Sequence, residues 1–156
     1  MTVLKTALFL LLVPGLLLIG VPVSLMLSRP ALFSFGILRW LAVPLWLVGS
    51  AALLWCAYDF IARGHGTPLP LDPPKQLVIS GPYRYVRNPM YAGGLVFLLG
   101  HVLWSPSWAI IACPVLFFAA THLFITLYEE PHLCKTFGTA YEQYCREVPR
   151  WIPKIR

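Results

Sequence analysis

Gly81-Pro82-Tyr83-Arg84-Tyr85-Val86-Arg87-Asn88-Pro89 opens, and Glu129-Glu130-Pro131-His132 closes, a run of 41 residues between Arg87 and Glu129 that holds no Asp, Glu, Lys or Arg. Ser105-Pro106-Ser107 breaks the run near its middle. It is too long for one bilayer crossing and right for two helices joined by a tight turn. At about 1.5 Å per residue the arms, 89–104 and 107–128, measure roughly 25 and 33 Å. A hairpin returns its ends to one side, so Arg87 is expected to face the Glu129/Glu130 pair at one membrane surface.

Composition agrees with a bilayer as solvent. Hydrophobic residues make up 58% of the 156, charged residues 12%, and mean hydropathy is +0.72, values outside the range of ordinary soluble domains. Two further uncharged stretches, 6–27 and 40–58, are each long enough to span hydrocarbon about 30 Å thick. The expected fold is therefore an all-α integral membrane protein, a single domain of about four transmembrane helices. The 22 uncharged residues of the first stretch exceed a signal-peptide core, and no small-x-small cleavage site follows.

Basic residues set the expected orientation. Lys5, then Arg63, Lys75, Arg84 and Arg87, then Lys135, Arg146, Arg150, Lys154 and Arg156 fall on the side of the two termini, against Arg29 and Arg39 opposite. Both termini are thus expected in the cytoplasm. The same bias, with attraction to anionic headgroups of the membrane lipids, accounts for the net charge of +6 without any nucleic acid. The four cysteines, at 56, 113, 134 and 145, have neither disulfide nor zinc-site spacing, so no metal is expected.

Segment 63–88, which lies before Pro89, is rich in proline, with Pro68, Pro70, Pro73, Pro74 and Pro82. It reads as an extended cytoplasmic strap rather than a helix. At its end Asn88 suits an N-cap and Pro89 the first helical position, leaving free backbone N–H groups beside Arg87, a setting for a carboxylate. Glu129 and Glu130 are placed where a helix is expected to end, although the macrodipole disfavours acids there. Two readings stay open. The pair braces the hairpin through a salt bridge to Arg87, or it forms half of a clamp for a zwitterion, with carboxylates for an ammonium and Arg87 for a carboxylate. In the tail, 129–156, Leu133, Phe137, Tyr141, Tyr144 and Val148 form an apolar helical stripe. That tail is expected to be an amphipathic cytoplasmic helix, bent at Gly138, across the mouth of the site. His101 and His122, inside the third and fourth spans, are candidates for either function or interhelical hydrogen bonding.

These residues resemble the isoprenylcysteine carboxyl methyltransferase and phospholipid methyltransferase superfamily. Its first motif is similar to Gly81, Tyr83, Arg87, Pro89 and Tyr91, with Asn88 where histidine is usual. Its second is matched in register by Glu129, Glu130, Phe137, Gly138, Tyr141, Tyr144, Val148, Pro149 and Pro153. The resemblance implies S-adenosylmethionine bound at the cytoplasmic end of the hairpin and a lipophilic acceptor entering from the bilayer: an isoprenylcysteine-like carboxylate, a lipid amine, or a small lipophilic acid or thiol. It implies Tyr83, Arg87, Asn88, Pro89, Tyr91, Glu129 and Glu130 around the cofactor, with Arg87 and Glu130 required for chemistry. Arg146 and Arg150 are candidates to hold an anionic acceptor. Nicotinamide-dependent sterol reductases share a similar C-terminal region, so a reductase-like enzyme or a noncatalytic scaffold are the alternatives.

Overall fold

The computed structural model describes Thr6, Leu8 and residues 11–64 and 76–153. The apolar runs become helices, and among the described residues there is no strand. Helix α1 covers Gly15–Ser28, α2 Gly36–Ala62, α3 Pro89–Trp104, α4 Trp108–Phe137 and α5 Thr139–Glu147. Two of these, α2 with 27 residues and α4 with 30, are long and apolar enough to cross a membrane; α1 and α3 are shorter apolar helices. With the outward-facing leucines, valines and aromatics that cover α1, α2 and α4, this is a membrane protein whose surrounding solvent is hydrocarbon. The part of the expected strap between 65 and 75, the first five residues and 154–156 lie outside the described residues.

Small residues let α2 and α3 touch along their backbones. A Cβ at Gly49 would stand 2.7 Å from the Gly93 carbonyl oxygen and 2.8 Å from Phe97 Cβ, and one at Gly93 would stand 2.9 Å from Ala52. Trp46 lies in the space left by Gly100 and donates from its indole N–H to His101 Nδ1 at 3.3 Å. A polar pair inside an apolar bundle thereby fixes the register of the two helices.

The expected hairpin turn is present. Ser107 caps α4 by accepting from the Ile110 N–H, and Pro106 accepts from Leu32 N–H at 2.7 Å. The α1–α2 connection and the α3–α4 turn therefore share one end of the bundle, where Arg39 also lies over the Trp104 ring. The opposite end carries Asp59, the turn Gly81–Arg84, Arg87 and Glu129. Gly81, at φ 54, lies flat on the buried Asp59 carboxylate, a place where a Cβ would overlap Asp59 Oδ2.

One boundary at the site differs from the sequence expectation. The fourth helix does not end at 128 but continues to Phe137, about 45 Å at 1.5 Å per residue, half as long again as the hydrocarbon layer. The glutamates thus sit inside a helix rather than at its C-terminus, which removes the macrodipole objection to them. The tail consists of two helical pieces broken at Gly138, whose φ of 54 and ψ of −131 only glycine adopts readily. Its apolar stripe packs as expected. Tyr141, Tyr144 and Val148 are buried with Leu77, Leu133 and Phe137 around them.

The glycine contact gives a direct test. Gly49→Val should lower thermal stability in detergent by about 1–3 kcal/mol through overpacking, whereas Leu47→Val, at a lipid-facing position, should shift the melting temperature little. Equal melts for the two variants would show that the close α2–α3 approach is not tightly constrained.

Candidate functional site

A wide turn in α4 positions the acid pair. Pro131 has no N–H, and its ring presses on the carbonyl four residues back; over Ile125–Glu129 the helix opens into a π turn. The two consecutive glutamates leave this turn toward different partners. Glu129 Oε2 accepts from the Tyr91 hydroxyl of α3 at 3.0 Å. Glu130 accepts two hydrogen bonds from Arg150, from Nε at 2.9 Å and from Nη2 at 2.6 Å, and Arg87 Nη1 lies 3.1 Å from its Oε1.

Glu130 is thus shared by two guanidiniums, one held as a two-point fork. The side chains of Arg87 and Glu130 are 12% and 17% exposed, so the attraction is screened far less than at an open surface. Arg87 Nη1 also donates to the Cys145 sulfur, while Arg87 Nε is buried with no hydrogen-bond partner among the described residues. Glu129 has no ion pair among the described residues.

The backbone fixes these side chains from both sides. Arg87 N–H donates to the Pro149 carbonyl at 2.9 Å. Asn88 occupies the N-cap position of α3, but its side chain makes no cap bond and instead donates through Nδ2 to the Arg150 carbonyl at 3.3 Å. Tyr83 is buried, and its carbonyl accepts from the Tyr144 hydroxyl at 2.7 Å. Burial pushes both phenols above their ordinary range, so they stay protonated and Tyr144 remains a donor.

The structure therefore brings together Tyr83, Arg87, Asn88, Pro89, Tyr91, Glu129 and Glu130 at one end of the bundle, as the sequence placed them. Arg150 joins them as the ion-pair partner of Glu130. Arg146 is exposed and makes no ion pair among the described residues. Cys145 and Trp151 were not singled out by the sequence: nothing in composition links a cysteine to an arginine 58 residues away, or Trp151, whose indole donates to His122 Nδ1, to that histidine. The only signal for Trp151 was its place directly after Arg150. Among the described residues no group of three or more His, Cys, Asp or Glu side chains could hold a metal ion.

A helical membrane bundle with an acid pair and an arginine converging at one end, covered by an amphipathic tail, is the class that fold and site define. The chain belongs to the phospholipid methyltransferase family, which it matches over residues 37–140. It is 31% identical over 126 residues to a cobalt-zinc-cadmium resistance protein of Cupriavidus metallidurans, covering 81% of this chain and 51% of that protein. To the protein-S-isoprenylcysteine O-methyltransferase of Schizosaccharomyces pombe it is 36% identical over 81 residues, 51% of this chain and 34% of the relative. To a phosphatidylethanolamine N-methyltransferase of Paracoccidioides lutzii it is 37% identical over 85 residues, 53% of this chain and 9% of the relative. The chain thus spans about half, or less, of the length of these relatives.

Arg150→Ala should cost about 1–3 kcal/mol of stability, because a partly buried carboxylate loses two charge-assisted hydrogen bonds. Arg150→Lys keeps the charge but not the fork and should recover less than half of that loss. Arg146→Ala should fall within about 0.5 kcal/mol of the parent. Thermal melts of the three variants in one detergent check this order; an Arg150→Ala melt equal to that of Arg146→Ala would contradict it.

Proposed function

We propose that this protein is a membrane methyltransferase that moves a methyl group from S-adenosylmethionine to a lipophilic acceptor arriving from the bilayer. The observation that carries the reading is the unequal use of the two glutamates. Glu130 has its charge answered by Arg87 and Arg150. Among the described residues Glu129 is held only by the neutral Tyr91 hydroxyl, and beside this acid pair Arg87 keeps a buried Nε with no acceptor. A carboxylate without a cation and a guanidinium N–H without an acceptor fit the ammonium and carboxylate of an amino-acid-like cofactor.

In this reading Glu129 takes the ammonium, with Tyr91 setting its orientation. Arg87, with the free N–H groups of the first turn of α3 after Pro89, takes the carboxylate. Glu130 and Arg150 are positioning residues that hold Arg87, rather than groups that touch the reacting atoms. Asn88 and Tyr83 act through the tail, closing the site against water so that the remaining charges act at low dielectric. The cofactor, when bound, supplies an activated methyl group, and the chain supplies alignment and dryness. Both termini and the site lie on the cytoplasmic side, as the basic residues favour.

Glu129→Gln should weaken S-adenosylmethionine binding at least tenfold, about 1.5 kcal/mol, with a small effect on melting temperature, whereas Glu130→Gln should lower the melting temperature as well. Titration calorimetry beside thermal melts separates the two; unchanged cofactor affinity in Glu129→Gln would remove the ammonium role. Binding of a nicotinamide cofactor in place of S-adenosylmethionine would favour the reductase-like alternative, and binding of neither the scaffold. Reporter fusions near Pro30 and after Pro153 should lie on opposite sides of the membrane, and a C-terminal reporter outside the cytoplasm would put the site in the wrong compartment.

A further inference from the structure

An apolar cavity of about 230 Å³ lies between α1, α2 and α3, lined by Gly15, Leu18 and Ile19, by Ser50 and Leu54, and by Phe97. Over Gly15–Gly20, just before Pro22, α1 winds as a π turn. Glycine at 15 and serine at 50 leave the facing walls without bulk. Leu18 forms the floor, 3% exposed, while Ile19 and Leu54 stand at the rim, 51% and 64% exposed, so the cavity is a groove that opens sideways to hydrocarbon. Phe97 stands six residues along α3 from Tyr91, about 9 Å deeper. A headgroup layer is only about 6 Å thick, so the groove lies below it. Even a void of about 150 Å³ with such walls stays dry and admits benzene. What fills this one is hydrocarbon.

We propose that the groove binds a hydrocarbon chain of the methyl acceptor, an inference that rests on the methyltransferase reading above. Continuity with the candidate site distinguishes this chain from those of the surrounding lipids. The floor residue Leu18 also backs onto α3 at Gly94, where a Cβ would stand 3.6 Å from its Cδ1. Three residues nearer the cytoplasmic end is Tyr91, whose hydroxyl donates to Glu129. Residues 91–97 of α3 therefore border both the groove and the cofactor site. The acid pair stays with the cofactor and the arginines. An acceptor brings its reacting atom within about 3–3.5 Å of the methyl group, at the level of Tyr91, and its chain then descends toward Phe97 in the direction a lipid chain takes. A chain gains no hydrophobic energy by leaving the bilayer, so the groove selects by shape: it admits one chain along its length and rejects what its walls do not fit.

The test uses the full chain in phosphatidylcholine nanodiscs, without cofactor, and two probes with a diazirine in mid-chain: phosphatidylethanolamine and an S-prenylcysteine. After irradiation, mass spectrometry of peptides should find label from at least one probe on segments 15–19 and 50–54, removed by the same lipid unlabelled. A phosphatidylcholine probe should label outward positions such as Leu47, 66% exposed, and spare the groove. Which probe succeeds tells a glycerolipid from a prenylated acceptor. Ser50→Phe places a ring in open volume, so it should melt no lower than the parent, lose groove labelling and raise the acceptor KM about tenfold with kcat and S-adenosylmethionine affinity unchanged. Leu47→Phe should match the parent in all of these. Groove labelling by phosphatidylcholine equal to that by both probes, or an unchanged KM in Ser50→Phe, would overturn the proposal and leave the groove to bulk lipid. If Ser50→Phe does not fold, Ile19→Trp at the rim decides the same question. Failure of S-adenosylmethionine to bind the parent protein would count against the methyltransferase reading, while the cofactor-free labelling still decides what the groove holds.

Discussion

Glu130 between two arginines is the interaction on which the arrangement of this end of the protein depends. Arg87 comes from the segment before α3, Glu130 from α4 and Arg150 from the tail, so one carboxylate joins three parts of the chain that are otherwise linked mainly by apolar contacts. A lone carboxylate there would face both the hydrocarbon boundary and a nearby Glu129. Two cations make its burial tolerable. The hydrogen bonds from the Arg87 N–H to the Pro149 carbonyl and from Asn88 Nδ2 to the Arg150 carbonyl add directionality that point charges lack, because each needs one alignment of tail and helix start.

The π turn is the second constraint, and it sets which neighbours each glutamate meets. Adjacent residues on a helix point well apart, by about 100° on a regular one; at the end of the widened turn over Ile125–Glu129, just before Pro131, one glutamate meets the Tyr91 hydroxyl and the next the arginines. The bundle below must be rigid for that difference to persist. The glycine contacts between α2 and α3, with Trp46 pinned on His101, supply this rigidity at the cost of tolerating almost no added volume.

The hairpin was legible because hydrocarbon forbids charge over a length that any composition count detects, and its turn because Ser-Pro-Ser has no place inside a span. The apolar stripe of the tail was legible for the same kind of reason: a period of 3.6 needs no knowledge of the partner. What the sequence did not reveal is how hydrogen bonds are distributed among like residues. Glu129 and Glu130 look alike on paper, and only the turn geometry tells which one is already occupied. The helix running past 128 was missed because charge at the boundary looks like a stop, although a helix continues into water without penalty when its next residues suit it. Arg150 was placed at the site, but as a holder of ligands; its fork on Glu130 depends on the tail folding back, which no local pattern encodes.

The tail contacts also impose an order of assembly. Residues 149–151 leave the ribosome after all four apolar helices, since synthesis runs from the N-terminus. Until they arrive, Glu130 has only Arg87, Asn88 Nδ2 has no Arg150 carbonyl to donate to, and His122 has no indole beside it. The bundle can therefore insert and pair its helices before its polar end is complete, and residues 149–151 then supply the contacts that tie that end together. A membrane protein built this way completes the hydrogen bonds of its polar end only after its helices are in place.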